Sequence, residues 1–194
     1  MPAKGREGSS APAEGRPGTA KKPPVWVDAT GLFSALPVEA GVGDIFVGGN
    51  PVVVQEGEAL THCSAETKSP CAGLQAAGKK EMDARGSADK TRLEFTLYTF
   101  RTEEEASRAM KDLAEQQRKS SAEDGTPSKP LTVDSGADET DAIQDGDRSH
   151  VVMRIGAVVA HVDASGAERG NVEHAAKVQV ARVKSVAAGI NPDR

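Results

Sequence analysis

Aromatic residues are scarce in this chain. One Trp, one Tyr and four Phe make up 3% of its 194 residues. A core must therefore be built mainly from Val, Leu, Ile and Ala. Proteins that bind single-stranded nucleic acid stack bases on aromatic side chains, and a formal net charge of -5 does not favour a surface that follows phosphates. We therefore expect no nucleic-acid partner.

Long apolar runs and familiar catalytic signatures are also absent. No run approaches the ~18 apolar residues of a membrane span, so we expect no transmembrane segment in this chain. The sequence contains no G-x-S-x-G elbow, H-E-x-x-H motif or P-loop. GVGDIF, within the glycine-rich turn region 41–49, has Phe46 where a dinucleotide-binding loop has its third glycine. We predict no catalytic residue, no metal site and no cofactor, and hence not an enzyme.

Only two cysteines are present, Cys63 and Cys71, in the polar stretch HCSAETKSPC. His62 is adjacent, but the other histidines follow no zinc-ligand spacing. The stretch indicates a loop, where buried inert thiols are not expected. A disulfide is the favoured interpretation, with free thiols and a metal site as alternatives. Such a disulfide would stabilise the fold by roughly 2–3 kcal/mol and would indicate an oxidising compartment.

The first 24 residues differ from the rest of the chain. Residues 1–24 are rich in Gly, Pro, Ala, Ser, Lys and Glu, without apolar periodicity, and indicate a disordered linker or tail. Residues 25–192 suit a single domain. The tail has no apolar segment typical of a signal peptide, which taken literally indicates a cytoplasmic protein. Because this conflicts with a disulfide, we expect a natural start upstream or a removed export segment.

The clearest element is a hairpin over residues 149–163, SHVVMRIGAVVAHVD. Apolar residues alternate on both sides of Gly156-Ala157. This pattern predicts two central strands joined by a type II′ turn, in which Gly156 takes a positive φ. Arg154 then pairs with Val159, and His161 lies diagonally to Arg154 on the same face.

Two helices frame this hairpin in the sequence. RLEFTLYTFR predicts a strand over 92–101, and Thr102 with Glu105 predicts a capping box that starts the next helix. A terminal helix is expected over 172–188, with Asn171 as N-cap and Gly189 at its C-terminus. The fold class is therefore α+β, an antiparallel sheet with helices packed on it.

Other segments give weaker signals. We expect a short helix within 25–36, a strand from Val52 and a short helix or helical turn within 71–82. Residues 120–130 indicate a polar loop, and Leu131–Val133 could begin a strand. The acidic stretch 134–147 indicates a solvated loop, with a calcium site as the lesser alternative, since its carboxylates do not match the EF-hand pattern.

Three stretches, LYTFRTEEEASRAM, GADETDA and VVMRIGAVVAHV, carry a resemblance. Together with the order of elements over 92–189, about half the chain, they resemble an actinobacterial exported family: the extracellular sensor domains of PknH-type Ser/Thr kinases and related stand-alone lipoproteins. The resemblance implies an antiparallel sheet with packed helices, exposed outside the cytoplasmic membrane, and a cleft for an unknown ligand. This chain shows no kinase domain and no membrane anchor, so the resemblance implies an exported binding or accessory role rather than signalling.

Arg154 and His161 are polar residues in a valine-rich hairpin, and Tyr98 lies on the neighbouring predicted strand. Our main hypothesis is an exported or cell-envelope domain whose cleft, lined by Arg154, His161 and Tyr98, binds an unknown small molecule or envelope component. The interpretation without a binding role is that these residues lie on the more solvent-exposed face of the sheet, with Arg154 paired to an acid from the loop. The alternatives are an envelope module for protein interaction and a hydrolase with an unfamiliar site.

Overall fold

A computed structural model describes residues 25–43, 45–86 and 91–193. These residues form one antiparallel sheet with helices on both faces. The strands are β1 (Phe46–Gly48), β2 (Val52–Gln55), β3 (Leu74–Ala84), β4 (Arg92–Phe100), β5 (Lys129–Pro130), β6 (Glu139–Asp145), β7 (Arg148–Ile155) and β8 (Val158–Ser165). The helices are α1 (Ala29–Ala35), α2 (Glu39–Val42), α3 (Glu56–Thr67), α4 (Glu103–Glu123) and α5 (Arg169–Ala187).

The sheet runs in the order β1-β3-β4-β8-β7-β6-β5, and β2 pairs with β3 beside β1. Alternation along β4 divides its residues between two cores. Leu93, Phe95 and Leu97 join the larger core, which α1 and α5 cover. Tyr98 and Phe100 join a smaller core beneath α3 and α4. The predicted α+β class and the single domain are confirmed. On the face of the sheet that carries α3 and α4, these helices leave part of the sheet uncovered.

The hairpin of β7 and β8 is confirmed in its position and register. Ile155 pairs with Val158, and Arg154 pairs with Val159. Gly156 has φ 58° whereas Ala157 does not have a positive φ, which is the pattern of a type II′ turn and excludes type I′. A Cβ atom on Gly156 would also lie 2.5 Å from the Val25 carbonyl oxygen. Glycine is therefore required here both for the positive φ and for the close approach of Val25.

The helix signals were partly right. Thr102 and Glu105 form the predicted capping box of α4. The C-terminus of α5 is a Schellman motif, in which the Gly189 and Ile190 amides donate to the carbonyls of Val186 and Ser185. The predicted N-cap of α5 was wrong: the helix begins two residues before Asn171, at Arg169.

Residues 71–82 were expected to be helical, and this was wrong because most of them form β3. The segment has small residues and lysines with little strand preference of their own. Its conformation is imposed by neighbours, since β1 and β2 pair along one edge and β4 along the other. Gly78 lets α1 approach, because a Cβ there would lie 3.2 Å from Leu36 Cδ1.

The two predicted loops are shorter than expected. α4 continues to Glu123, inside the segment 120–130, and β5 precedes Leu131 rather than including it. The acidic stretch contains β6, where Asp141 is salt-bridged to Arg118 and Glu139 to Arg154. Paired carboxylates can occupy a strand, which composition alone does not reveal. Within the described ranges no three His, Cys, Asp or Glu side chains form a metal-binding group.

Cys63 and Cys71 form a disulfide, as favoured, with their Cα atoms 6.2 Å apart. The expectation of a loop was wrong for Cys63, which lies on the buried side of α3. Both cysteines are buried, and their bond ties the end of α3 to the approach of β3. The predicted tail, residues 1–24, lies outside the described residues. No helix in the described part of the chain is long and apolar enough to cross a membrane.

Candidate functional site

A pocket of about 380 Å³ opens where α3 meets the edge of the sheet. It arises because β1 and β2 share one edge of β3: Gly48 pairs with Met82 and Val52 with Lys79. The chain must leave the sheet between them, and Gly49 and Asn50 form part of the rim. The pocket is lined by Gly49, Asn50, Val52, Val54, His62, Glu66, Ala77, Gly78, Lys79, Lys80, Glu81, Thr96 and Tyr98.

The floor of the pocket follows from strand register. Val54, Ala77 and Tyr98 form one cross-strand row, and Val52, Lys79 and Thr96 form the next. Side chains in register on adjacent antiparallel strands share a face, so both rows point towards α3. The floor is thus apolar at one end and polar at the other.

α3 supplies the side wall with His62 and Glu66. Glu66 lies one turn after Cys63, so the helical repeat and the disulfide both direct it inwards. Its Oε2 is buried and has no hydrogen-bond partner among the described residues. Burial raises the pKa of Glu66; the nearby Tyr98 hydroxyl opposes this rise, and the charge of Glu94 adds to it. A proton on this carboxyl is therefore held more tightly than in water.

Tyr98 and Thr96 also line the pocket, and each carries a buried hydroxyl oxygen. Tyr98 is 1% exposed and Thr96 is 4% exposed. Thr96 Oγ1 has no hydrogen-bond partner within the described chain. The Tyr98 phenol lies close enough to interact with the Glu66 carboxyl, but the two form no hydrogen bond of regular geometry. Burial first, and then the charge of Glu66, raises the pKa of Tyr98, so the phenol stays neutral. Three residues that line one pocket, Glu66, Thr96 and Tyr98, therefore each carry a buried oxygen that can form a hydrogen bond.

Of the two lysines that line the pocket, one is paired with carboxylates and the other points to the opposite face of the sheet. Lys79 Nζ lies 2.9 Å from Glu94 Oε1 and 3.2 Å from Glu81 Oε1. Lys80 points to the opposite face of the sheet, where it pairs in register with Phe95. Burial lowers the pKa of Lys80, and the charges that act on it belong to Glu39, Arg182 and Asp193.

Of the three predicted ligand-binding residues, the structure places only Tyr98 in this pocket. Arg154 lies towards the other edge of the sheet, where its Nε donates to Glu139 Oε1 at 2.8 Å. The hypothesis of a structural role for Arg154 predicted such a pairing with an acid, although the acid lies on β6 rather than in a loop. A binding role for Arg154 stays a prediction.

His161 is buried one strand away, opposite Thr96 in register. It stacks on His150 with ring centroids 5.6 Å apart, and its Nε2 has no partner in the described chain. Burial, and then the neighbouring His150, lower the pKa of His161 to about 4, while Asp163 opposes the change. The imidazole is therefore neutral near pH 7. It does not line the pocket, and its predicted ligand contact stays untested.

Sequence reasoning missed Glu66 and Thr96. Thr96 carried a signal, because it shares the alternation that places Tyr98 on the second face of β4. Glu66 carried a signal only if its segment was taken as a helix, since it then lies three residues from the buried Cys63. The polar composition of HCSAETKSPC concealed that periodicity.

No protein-family model and no curated protein sequence matches this chain. Among solved structures, the chain is similar to the extracellular domain of PknH from Mycobacterium tuberculosis, with a TM-score of 0.58. The two are 13% identical, and the match covers 82% of this chain and 98% of that one. At this identity the similarity shows a shared fold, the one that the sequence resemblance implied.

Proposed function

We propose that this chain is an exported, non-enzymatic domain that binds a small molecule in the pocket between α3 and the sheet, as the receiving part of a sensor. The observation that carries the proposal is the set of three unpartnered oxygens, on Glu66, Thr96 and Tyr98, in one pocket. A buried polar atom without a partner costs roughly 1–3 kcal/mol, and a ligand that bonds to it offsets that cost.

Two observations support a location outside the cytoplasm. The Cys63–Cys71 disulfide requires an oxidising compartment to form and persist. The fold is shared with a domain described as extracellular. Export thus explains the disulfide, whereas the reducing cytoplasm does not favour one.

Binding accounts for the pocket better than catalysis does. A nucleophilic mechanism needs a hydroxyl or thiol hydrogen-bonded to a general base. Within the described chain Thr96 Oγ1 has no such bond. Tyr98 does face the Glu66 carboxyl, but its raised pKa disfavours a phenolate nucleophile. The pocket therefore offers groups that can hold a ligand without groups arranged to attack it.

A thermal-shift screen of polar and amphiphilic small molecules tests the proposal. Val52 lines the pocket and is 63% exposed, so Val52→Trp should fill the mouth without disturbing the core. Ile190 is 60% exposed and lies outside the pocket, so Ile190→Trp is the matched control. We expect compounds that raise the melting temperature of the native and Ile190→Trp proteins but not of Val52→Trp.

Circular dichroism first establishes that both variants are folded. Compounds that stabilise Val52→Trp as strongly as the native protein would bind elsewhere and contradict the proposal. A full screen without one compound sensitive to Val52→Trp would contradict it as well.

A further inference from the structure

The buried side-chain atoms of the pocket that have no hydrogen-bond partner in the described structure are of one kind. All three are oxygens: Glu66 Oε2, Thr96 Oγ1 and Tyr98 Oη. In the part of the chain that the structure describes, no buried unpartnered side-chain nitrogen lines this pocket. A carboxylate only accepts hydrogen bonds, and hydroxyls can accept as well as donate. A ligand group rich in hydrogen-bond donors could therefore bond to all three oxygens.

The charges favour a cation. Glu81 and Glu94 hold the ammonium of Lys79 between them, at 3.2 and 2.9 Å. Glu66 makes no ion pair within the described ranges, and Lys79, whose charge acts on it from a distance, is already paired with Glu81 and Glu94. A carboxylate or phosphate ligand would meet these acids without a free cation, which is unfavourable in a partly desolvated site. An incoming cation would supply the counter-ion that Glu66 lacks.

The remaining surface fits an apolar body. Val52, Val54 and Ala77 line the pocket beside the ring of Tyr98. An aromatic face attracts a cation that lies over it, and the aliphatic side chains bury hydrocarbon. A volume of about 380 Å³ is within the range of small-molecule sites, roughly 300–1,000 Å³.

We propose that the pocket binds an organic ammonium ion: a small apolar body with a protonated amine whose N–H groups donate to Glu66, Thr96 and Tyr98. This inference rests on the proposed function and names its ligand class. A primary ammonium has three N–H donors, and the pocket presents three oxygens without a partner.

Binding of such a ligand is linked to the proton on Glu66. The ammonium needs the carboxylate form, and the pKa of Glu66 is raised by burial when no cation is present. Amine affinity therefore rises with pH as Glu66 ionises, and binding releases a proton. The other charged or titratable groups facing Glu66 are His62 on α3, Lys79 and Glu81 on β3, and Glu94 and Tyr98 on β4.

Three probes of equal length test the ligand class: n-hexylamine, 1-hexanol and hexanoate, titrated against the native protein by ligand-detected NMR. We expect hexylamine to bind about tenfold tighter than hexanol, because charge-assisted hydrogen bonds are about twice as strong as neutral ones. Hexanoate should bind most weakly. Val52→Trp should abolish hexylamine binding, whereas Ile190→Trp should not.

Glu66→Gln keeps the size of the side chain and removes its charge. We expect it to reduce hexylamine affinity to that of hexanol and to abolish the rise in affinity with pH. Glu58→Gln is the matched control on the same helix, because Glu58 is an exposed carboxylate outside the pocket, and this variant should retain the rise. If Glu66→Gln does not fold, the probe series and the pH dependence of the native protein still decide the matter.

The outcomes separate the two proposals. If hexanol or hexanoate binds as tightly as hexylamine, with the same sensitivity to Val52→Trp, the pocket binds ligands but the ammonium class is wrong. The same follows if hexylamine does not bind while neutral or anionic library compounds bind in the pocket. If none of the probes and no library compound is sensitive to Val52→Trp, the proposed function itself fails.

Discussion

Single buried polar residues decide the chemistry of the α3–α4 face of this sheet. Strand alternation places Glu94, Thr96 and Tyr98 on the same face of β4, and His161 and Asp163 beside them on β8. Some of these side chains find ion-pair partners, as Asp163 does with Arg148. Others are buried without a hydrogen bond within the described chain, and each such group makes stability depend on its protonation or on a ligand.

His161 gives a prediction at this scale. Its pKa is lowered from 6.5 to about 4, chiefly by burial, so the folded state disfavours the protonated imidazole. Its contribution to stability is complete above pH 6.5 and is lost as the pH falls from 6.5 towards 4. A pKa lowered from 6.5 to about 4 corresponds to a loss of unfolding free energy on the order of 3 kcal/mol. Urea unfolding followed by circular dichroism at pH 7, 5.5 and 4 measures this loss.

His161→Gln should show a smaller decrease in unfolding free energy over that pH range than the native protein. His174→Gln is the control, because His174 is exposed on α5 and its Nε2 lies 3.1 Å from the Gly41 carbonyl oxygen. Carboxyl groups titrate in all three proteins, so the difference between the variants isolates His161. Parallel pH profiles for the two variants would contradict the prediction.

Some elements are specified by residues close together in the chain, whereas others depend on partners that are distant in sequence. The β7–β8 hairpin needs only alternating residues and one glycine at the turn, and its central position in the sheet follows from valines on both faces. β3 is different, because its strand conformation depends on partners from three other strands. The hairpin should therefore be sensitive to one turn residue, whereas β3 should be sensitive to the loss of its neighbours.

The hairpin turn gives a prediction at the element scale. Gly156→Ala places a Cβ on a residue with φ 58° and 2.5 Å from the Val25 carbonyl oxygen. Gly125→Ala has φ 74° but nothing within 4 Å, so it measures backbone strain alone. We expect Gly125→Ala to cost about 1–2 kcal/mol and Gly156→Ala to cost at least ~1 kcal/mol more, because overpacking is added. Urea denaturation of the two variants measures both, and equal losses would show that Val25 moves aside without cost.

At the scale of the whole molecule, the disulfide links stability, pocket and compartment. It closes a loop between residues eight positions apart and ties α3, with Glu66, to the start of β3. A covalent loop restricts the unfolded ensemble, so its effect is on the stability of the entire chain rather than on one contact. The same bond fixes the wall of the pocket, so a reducing environment should weaken both.

Reduction of the disulfide should lower the free energy of unfolding by roughly 2–3 kcal/mol in the chain-entropy model. Urea denaturation with and without dithiothreitol measures the effect. The double variant Cys63→Ala/Cys71→Ala is the control, because dithiothreitol should not change its stability. We also expect it to show fewer or weaker pocket ligands. An unchanged unfolding midpoint for reduced native protein would contradict this account.

The sequence by itself determined the elements whose signals are local. Alternation around Gly156, the Thr102–Glu105 capping box and the Gly189 helix end each place their information within a few residues. They sufficed for the hairpin, for two helix termini and for the α+β class. The nearby cysteine pair likewise favoured the disulfide that the structure contains.

Tertiary structure decided the rest. β3 became a strand because β1, β2 and β4 pair with it. β6 became a strand because β5 and β7 pair with it, while Arg118 and Arg154 form ion pairs with two of its acids. Glu66, Thr96 and Tyr98 share a pocket because α3 packs near the sheet edge over the strands β2, β3 and β4. Hydrogen-bond pairing and burial join residues far apart in the chain, whereas periodicity and capping act over one or two turns. The sequence therefore predicted the fold class, and the pocket became visible only when the chain was folded.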